Sequence, residues 1–209
     1  MVLEFFLDLL FPPLCVTCGS IGGYICLNCY EKMSFFDQPL VIDLPTPTLD
    51  ELQACTKYAK TGSDFIHMYK FGCSYALAPT IGEIMFEKMA RPTVDFLVPV
   101  PLHRSRQRER GFNQAELLAK HLSKRWEIPI VNALHRPKAT TPQAQLDRAK
   151  RLTHLTDAFN ISPNSSITGK TIALIDDVTT TGTTLNECAR ILKNHQAKKV
   201  IGLVFAHGD

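Results

Sequence analysis

Two rhythms of hydrophobic positions run along the 209-residue chain. Short, nearly continuous apolar runs occur at Val94–Val100 (V-D-F-L-V-P-V), Thr171–Asp176 (T-I-A-L-I-D) and Lys199–Phe205 (K-V-I-G-L-V-F), and Leu52–Tyr58, interrupted by Gln53, Thr56 and Lys57, offers a further strand. Runs of this length, rich in Val, Ile and Leu, read as strands covered on both faces. Between them apolar residues return every three or four positions, the repeat of a helix with one buried side. This spacing predicts helices over Asp64–Tyr69, over Ala76–Met89 (Leu77, Ile81, Ile84, Met85 and Met89 inward), over Phe112–Trp126 (Ala115, Leu118, Ala119 and Leu122 inward) and over Thr183–Asn194. Strands that alternate with helices predict an α/β fold. The sheet should be mostly parallel and flanked by helices, with ligands at the carboxyl ends of its strands.

The pattern breaks in two places. Pro39, Pro45 and Pro47 punctuate residues 37–50, which read as a linker. Residues 136–151 are polar, basic and without a period, a loop too long to be idle in a compact domain. The expected organisation is a small module over 1–36, the linker 37–50 and the α/β domain over 51–209. The opening stretch, Met1–Leu14, is apolar but carries Glu4 and Asp8 and is stopped by Pro12-Pro13. With Leu3, Phe6, Leu7 and Leu10 on one side it reads as a short amphipathic helix. It lacks the basic leading region of a signal peptide. No apolar run approaches the roughly 20 residues of a membrane span, so a cytoplasmic protein is the expectation.

A composition of 45% hydrophobic and 21% charged residues excludes a wholly disordered chain. The formal net charge of +3 conceals an asymmetry. Residues 1–100 carry 6 Lys and Arg against 11 Asp and Glu, whereas residues 103–151 carry 12 against 4. A basic middle suits an anion, whether phosphate, pyrophosphate or nucleic-acid backbone, although a solvated basic face has the same composition.

Four of the seven cysteines fall close together, as Cys15-Val-Thr-Cys18 and Cys26-Leu-Asn-Cys29. Each C-x-x-C turn aims two thiolates at one point, and two such turns close a tetrahedral site that suits Zn²⁺. Gly19, Gly22 and Gly23 permit the reversal between them. A thioredoxin-type redox pair would use one C-x-x-C opening a helix in a βαβ unit, and a reducing cytosol disfavours structural disulfides. A closed four-thiolate site leaves no open coordination position, so the expected role is structural. Cys55, Cys73 and Cys188 stand alone in apolar surroundings and read as buried thiols.

The most informative segment is Ile172 to Thr184, I-A-L-I-D-D-V-T-T-T-G-T-T. A buried strand delivers Asp176 and Asp177 at its carboxyl end. Thr179, Thr180, Thr181, Gly182, Thr183 and Thr184 then open a helix, where backbone N–H groups and the helix dipole cradle an anion. Adjacent carboxylates repel phosphate. Their natural partners are sugar hydroxyls and a divalent cation. An N-terminal cap would need fewer hydroxyls than this. Gly169-Lys170-Thr171 looks like the tail of a P-loop, but it lacks the earlier glycine and leads into a strand.

This segment resembles the signature of the type I phosphoribosyltransferases: four apolar residues, two acids, two apolar or small residues, then Thr/Ser-Thr/Ser-Gly-x-Thr/Ser. Asp176 and Asp177 match the acidic pair and Thr180 to Thr184 the phosphate loop, while Thr179 sits where many members have an apolar residue. Further motifs are similar to those of the ComF family of competence proteins: Cys15, Cys18, Cys26 and Cys29; Val98-Pro-Val-Pro-Leu102; Arg108-Glu-Arg-Gly111-Phe-Asn-Gln-Ala115; and Thr141-Pro-Gln143 with Arg151.

The resemblance implies a type I phosphoribosyltransferase-like fold with a small N-terminal zinc-binding module, and Mg²⁺-phosphoribosyl pyrophosphate as ligand. Thr179 to Thr184 would hold the 5′-phosphate. Asp176 and Asp177, the implied catalytic pair, would contact the ribose hydroxyls and Mg²⁺ and stabilise oxocarbenium charge. Leu102, His103, Arg104, Arg106, Arg136, Gln143, Arg148 and Arg151 would serve the pyrophosphate and a mobile loop, 136–151, that closes over it. The resemblance also implies natural transformation: handling of incoming single-stranded DNA, with a DNA-uptake helicase or a recombination mediator at the inner membrane as partner. Arg104, Arg106, Arg108 and Arg110 are then the residues for DNA contact. The aromatics nearby, Phe112 and Trp126, suit the core instead, and a lone His103 suits a positional role. No segment specifies an acceptor. A pentosyl-transferring enzyme and a non-catalytic module that senses the donor or binds single strands are both compatible with the sequence.

Overall fold

The structure, a computed structural model, describes residues 12–40, 47–72, 75–137, 158–163 and 165–208. The helix expected at Met1–Leu14 lies outside the described residues as far as Phe11. So do Cys73 and most of the expected loop, including Gln143, Arg148 and Arg151. A short helix α1 (Leu27–Glu31) belongs to the cysteine module. There follow β1 (Glu51–Lys57), α2 (Thr61–Phe71), α3 (Leu77–Lys88), β2 (Phe96–Pro99), α4 (Arg104–Arg110), α5 (Gln114–Trp126), the strands β3 (Leu134–His135) and β4 (Asn160–Ile161), β5 (Thr171–Thr179), α6 (Thr183–Asn194) and β6 (Lys199–His207).

The main sheet has the order β1-β6-β5-β2, and every pairing in it is parallel. β3 and β4 make a separate antiparallel ribbon. Side chains alternate across the sheet with the period of a strand. Ile172, Leu174, Val200 and Val204 turn to the face covered by Leu185, Cys188 and Leu192 of α6. Ala173, Ile175, Ile201, Leu203 and Phe205 turn to the other, under Phe65 and Tyr69 of α2, Ile81 and Met85 of α3, and Leu118, Leu122 and Trp126 of α5. Each fully buried Leu, Ile or Phe contributes roughly 1.5–3 kcal/mol, so both layers are held chiefly by this packing. Cys55 and Cys188 are buried thiols as expected.

β5 and β6 outlast their apolar runs. The parallel ladder continues through Asp176↔Val204, Val178↔Ala206 and Thr179↔His207, because backbone pairing does not require apolar side chains. Helix α4 had no apolar repeat to announce it, since none of its residues is buried. Its ends are set locally: His103 Nδ1 accepts from the Ser105 N–H at 3.2 Å, and Gly111, at φ 81°, closes the helix in the left-handed region.

Two attachments tie the first third of the chain to the sheet. In the cysteine module, Met33 joins the core, Tyr30 Oη donates to Glu87 Oε2 at 3.3 Å, and the Ser34 carbonyl accepts from Thr56 Oγ1 and the Lys57 N–H, both at 2.9 Å. Ahead of β1, Asn186 Oδ1 on α6 accepts from the backbone N–H groups of Thr48 and Leu49 at 2.6 and 3.1 Å.

α3 and α5 pass closely at Gly82, where a Cβ would lie 2.6 Å from His121 Cδ2 and 2.9 Å from His121 Cβ. Beside that contact Glu83 holds His121 Nε2 at 3.0 Å and Arg125 Nη2 at 2.9 Å. Gly82→Val should therefore destabilise the protein by about 1–3 kcal/mol through overpacking. Urea unfolding checks this, and an unchanged midpoint would show that the two helices yield without penalty.

Candidate functional site

β5 runs past the end of β2. Pro99 pairs with Ile175 and the Val100 N–H still donates to the Ile175 carbonyl at 3.0 Å. Beyond this point the chain after β2 turns away and leaves a notch beside Asp176 and Asp177. The notch is a cleft of about 300 Å³ lined by Val100, Pro101 and Leu102 on one side and by Asp176 to Thr184 on the other. All eight residues expected to hold the ribosyl phosphate therefore line one hollow at the carboxyl edge of the sheet.

Threonine hydroxyls and one glycine shape the turn from β5 into α6. Thr179, expected in the loop, ends β5 instead, and its Oγ1 accepts from the Gly182 N–H at 3.2 Å. Gly182 takes φ 77°, where a side chain would be strained. The Thr181 and Thr183 hydroxyls are 2.6 Å apart. α6 starts at the next residue, with its N-terminus facing the cleft, so partial positive charge and backbone donors point at any ligand there.

Asp176 is half-buried and Asp177 buried. Asp176 Oδ1 accepts from the Asp177 N–H at 2.9 Å. Burial first, and the neighbouring Asp177 charge second, push the Asp176 carboxyl up to about 7. Asp177 Oδ1 meets Lys70 Nζ at 3.0 Å, while its Oδ2 is buried with no hydrogen-bond partner among the described residues. A divalent cation shared by both acids does not fit this arrangement. One oxygen of Asp177 is sealed, the other carries an ammonium, and Asp176 is the carboxylate left open to the cleft.

The cations around the cleft come from several elements. Among the described residues Lys70, Arg106, Arg110 and Arg136 line it, four positive side chains against two acids. The arginines of α4 separate by helical spacing. Arg106 and Arg110, four apart, turn toward the cleft, while Arg104 and Arg108 are exposed. Arg104 instead lines an adjoining hollow of about 520 Å³, with Gln107, Asn132 and His135, that shares Leu102, Asn113 and Arg136 with the first. His103 is spent on capping α4, in keeping with a positional role. Trp126 is buried, and Phe112 packs on the core with its ring 5.7 Å from Tyr69. Lys70 escaped the sequence reading, because it sits on a helix whose inward stripe gave no hint of a polar target.

Lys70 is aimed by its neighbours. Tyr69, fully buried, donates from Oη to the Gln114 carbonyl at 3.0 Å, and Gln114 Nε2 donates back to the Tyr69 carbonyl at 3.5 Å. This reciprocal pair fixes the end of α2 against the start of α5, and Lys70, the next residue, projects into the cleft.

The four-cysteine cluster is separate, and none of its residues lines the cleft. The sulfurs of Cys15, Cys18, Cys26 and Cys29 lie within 4.8 Å of one another, with Cys18 and Cys26 at 3.6 Å. Tetrahedral thiolates around Zn²⁺ stand about 3.8 Å apart, so the cluster fits that ion. The thiols are not alike: burial would raise Cys15, but backbone hydrogen bonds from Cys18, Cys26 and Thr17 bring it down to about 6, whereas burial and the neighbouring cysteines push Cys29 up to about 12. Gly19 (φ 73°) and Gly22 (φ 119°) make the reversal between the turns.

Two family models match the chain. The phosphoribosyl transferase domain covers residues 109–208, and the double zinc ribbon domain covers residues 6–60. Competence protein F of Haemophilus influenzae is 31% identical over 193 residues, which are 87% of this chain and 79% of that protein. The DNA utilization protein YhgH of Escherichia coli O6:H1 is 32% identical over 201 residues, 90% of this chain and 81% of that one. Among solved structures, the glutamine phosphoribosylpyrophosphate amidotransferase of B. subtilis complexed with ADP and GMP superimposes with a TM-score of 0.44 at 17% identity, covering 62% of this chain and 26% of its own. Among the described residues no helix is long and apolar enough to cross a membrane.

Two predictions follow from this geometry. The purified chain should carry a single zinc ion. Cys29→Ser should abolish it and strip hydrogen-exchange protection from residues 15–33 while β5 and β6 keep theirs; a metal-free wild type that stays protected there would count against the assignment. For Asp176, the folded carboxyl titrates above the unfolded one, near 3.9, so the folded state binds the extra proton and stability falls as pH rises from about 4 to about 7. Asp176→Asn removes that loss. Its stability relative to wild type should grow across the same interval in urea melts and level off above it.

Proposed function

Because the chain belongs to the ComF family of competence proteins, with a phosphoribosyltransferase-like domain behind a four-cysteine zinc-binding module, we propose that its cleft binds phosphoribosyl pyrophosphate and that it serves DNA uptake as a donor-responsive module of the cytoplasm. The observation that carries this reading is the joining, in one notch, of a phosphate turn, a half-buried carboxylate and an excess of cations. Thr180 to Thr184 and the α6 N-terminus suit the 5′-phosphate. Asp176 is placed for the ribose hydroxyls. Arg106, Arg110 and Arg136 offer guanidinium groups to the pyrophosphate.

Binding without turnover is the reading that the site favours. Cleavage of the anomeric bond builds positive charge on the ribose, and nearby carboxylates must be free to stabilise it. Here one of the two carboxylates is committed to Lys70. The relatives, moreover, are named for competence and DNA utilization. The second reading, transfer of phosphoribose to an acceptor, rests on Asp176, which remains open to the cleft.

Contact with single-stranded DNA draws support from α4. Its exposed pair, Arg104 and Arg108, is free of the cleft and able to meet a nucleic-acid backbone while Arg106 and Arg110 hold the donor. A helicase or recombination mediator at the inner membrane is the partner expected for such a role.

Calorimetry with phosphoribosyl pyrophosphate, alongside release of labelled pyrophosphate with and without nucleobases, separates these readings. Binding without release is expected. Binding should weaken at least about tenfold, some 1.4 kcal/mol, in Thr181→Val. Release that disappears in Asp176→Asn would establish a transferase instead, and no binding at all would overturn the proposal. Substituting Ala for both Arg104 and Arg108 should weaken salt-dependent binding of single strands and leave donor affinity unchanged.

A further inference from the structure

Lys70 is the one cleft cation that makes a direct ion pair with the acidic pair among the described residues. Its ammonium lies 3.0 Å from Asp177 Oδ1, and both side chains are largely withdrawn from solvent, at 18% and 6% exposure. Holding a lysine still in this way opposes up to about 2 kcal/mol of side-chain entropy. Here the fold meets that cost through the Tyr69–Gln114 clamp immediately before it.

The pairing has a consequence for metal binding. A divalent cation needs carboxylate oxygens it can reach. Asp177 Oδ2 is buried, so an ion arriving through the cleft does not reach it. Asp177 Oδ1 already carries the ammonium, and an ion seated there would stand within a few ångströms of a like charge, a strongly unfavourable contact in a half-buried site. Among the described residues the cleft is also lined by more cations than acids, with Lys70, Arg106, Arg110 and Arg136 beside Asp176 and Asp177. A donor bearing a phosphate and a pyrophosphate meets enough cationic side chains to be held by the protein alone.

Building on the donor-binding reading above, we infer that Lys70 is a built-in counter-cation that takes the place of a divalent ion at the acidic pair, so that this cleft binds the phosphoribosyl donor without Mg²⁺. Lys70 is a positioning residue in this role: it holds Asp177 in place and neutralises it, and the phosphate turn and arginines hold the donor.

The test is calorimetry on the zinc-loaded full chain in resin-treated, metal-free buffer, with phosphoribosyl pyrophosphate as titrant and with or without added Mg²⁺. For the wild type, Mg²⁺ should change the dissociation constant less than about tenfold. Lys70→Met should lose at least about tenfold in affinity without metal and recover it with Mg²⁺ or Mn²⁺, while Lys70→Arg should stay near wild type. Paramagnetic resonance of Mn²⁺ gives an independent readout: donor-free wild type should leave the ion free, and Lys70→Met should bind it.

A wild type that binds donor only with Mg²⁺ overturns the inference without any variant, so a failure of Lys70→Met to fold does not shelter it. Equal metal-free affinity in wild type and folded Lys70→Met overturns it as well. Absence of donor binding under every condition is a different result, for then the donor-binding reading itself falls and the inference with it.

Discussion

A carboxylate inside a protein needs a reason and a counterweight, and this fold places two of them in succession on one of its two central strands. Asp176 and Asp177 continue β5 at its carboxyl end, where water is already scarce. Burial and the neighbouring Asp177 charge favour protonating Asp176. An ammonium from α2 stands against Asp177, and Asp176 is left facing the cleft. Much of the local architecture is the support for this balance: the clamp that aims Lys70, the guanidinium groups of α4 and the chain after β3, and the turn that presents backbone donors in place of further charge.

The cleft itself is a product of unequal strand lengths. Because β5 keeps pairing with β6 after β2 has ended, the acids project beyond one neighbour while still braced by the other. The chain leaving β2 is held at the lip of the notch by Asn113 Nδ2, which donates to the Val100 carbonyl at 3.1 Å. Asn113 also caps α5, accepting from the Ala115 N–H at 3.1 Å. One side chain thus sets both the wall of the cleft and the start of the helix whose second face covers the sheet.

Much of this was legible in the sequence because it is local. β2, β5 and β6 of the main sheet announce themselves as apolar runs, since a strand buried on both faces has no room for polar alternation. Asp176 to Thr184 form one contiguous motif, as do the paired C-x-x-C turns. What could not be read is long-range or solvent-facing. Lys70 belongs to a helix whose inward stripe of Phe65, Ile66 and Tyr69 explains the helix completely, and only the packed fold brings its ammonium to Asp177. α4 buries nothing, so no hydrophobic period marks it, and the division of its arginines into two pairs follows from a helix the pattern did not foretell. Thr179 looked like loop because polar residues follow Asp177; the β6 ladder keeps it in the strand.

Asn186 gives the molecule a mechanical character. It lies in the first turn of α6, the helix whose tip faces the cleft, and it grips the backbone at Thr48 and Leu49, where the chain arriving from the zinc-binding module reaches the sheet. The same stretch of chain is fastened to β1 as well, where the Leu52 carbonyl accepts from the Leu40 N–H at 2.7 Å and the Ser34 carbonyl accepts from the Lys57 N–H at 2.9 Å, so the seam between the cysteine module and the sheet is stitched both along β1 and at the helix whose tip meets the cleft.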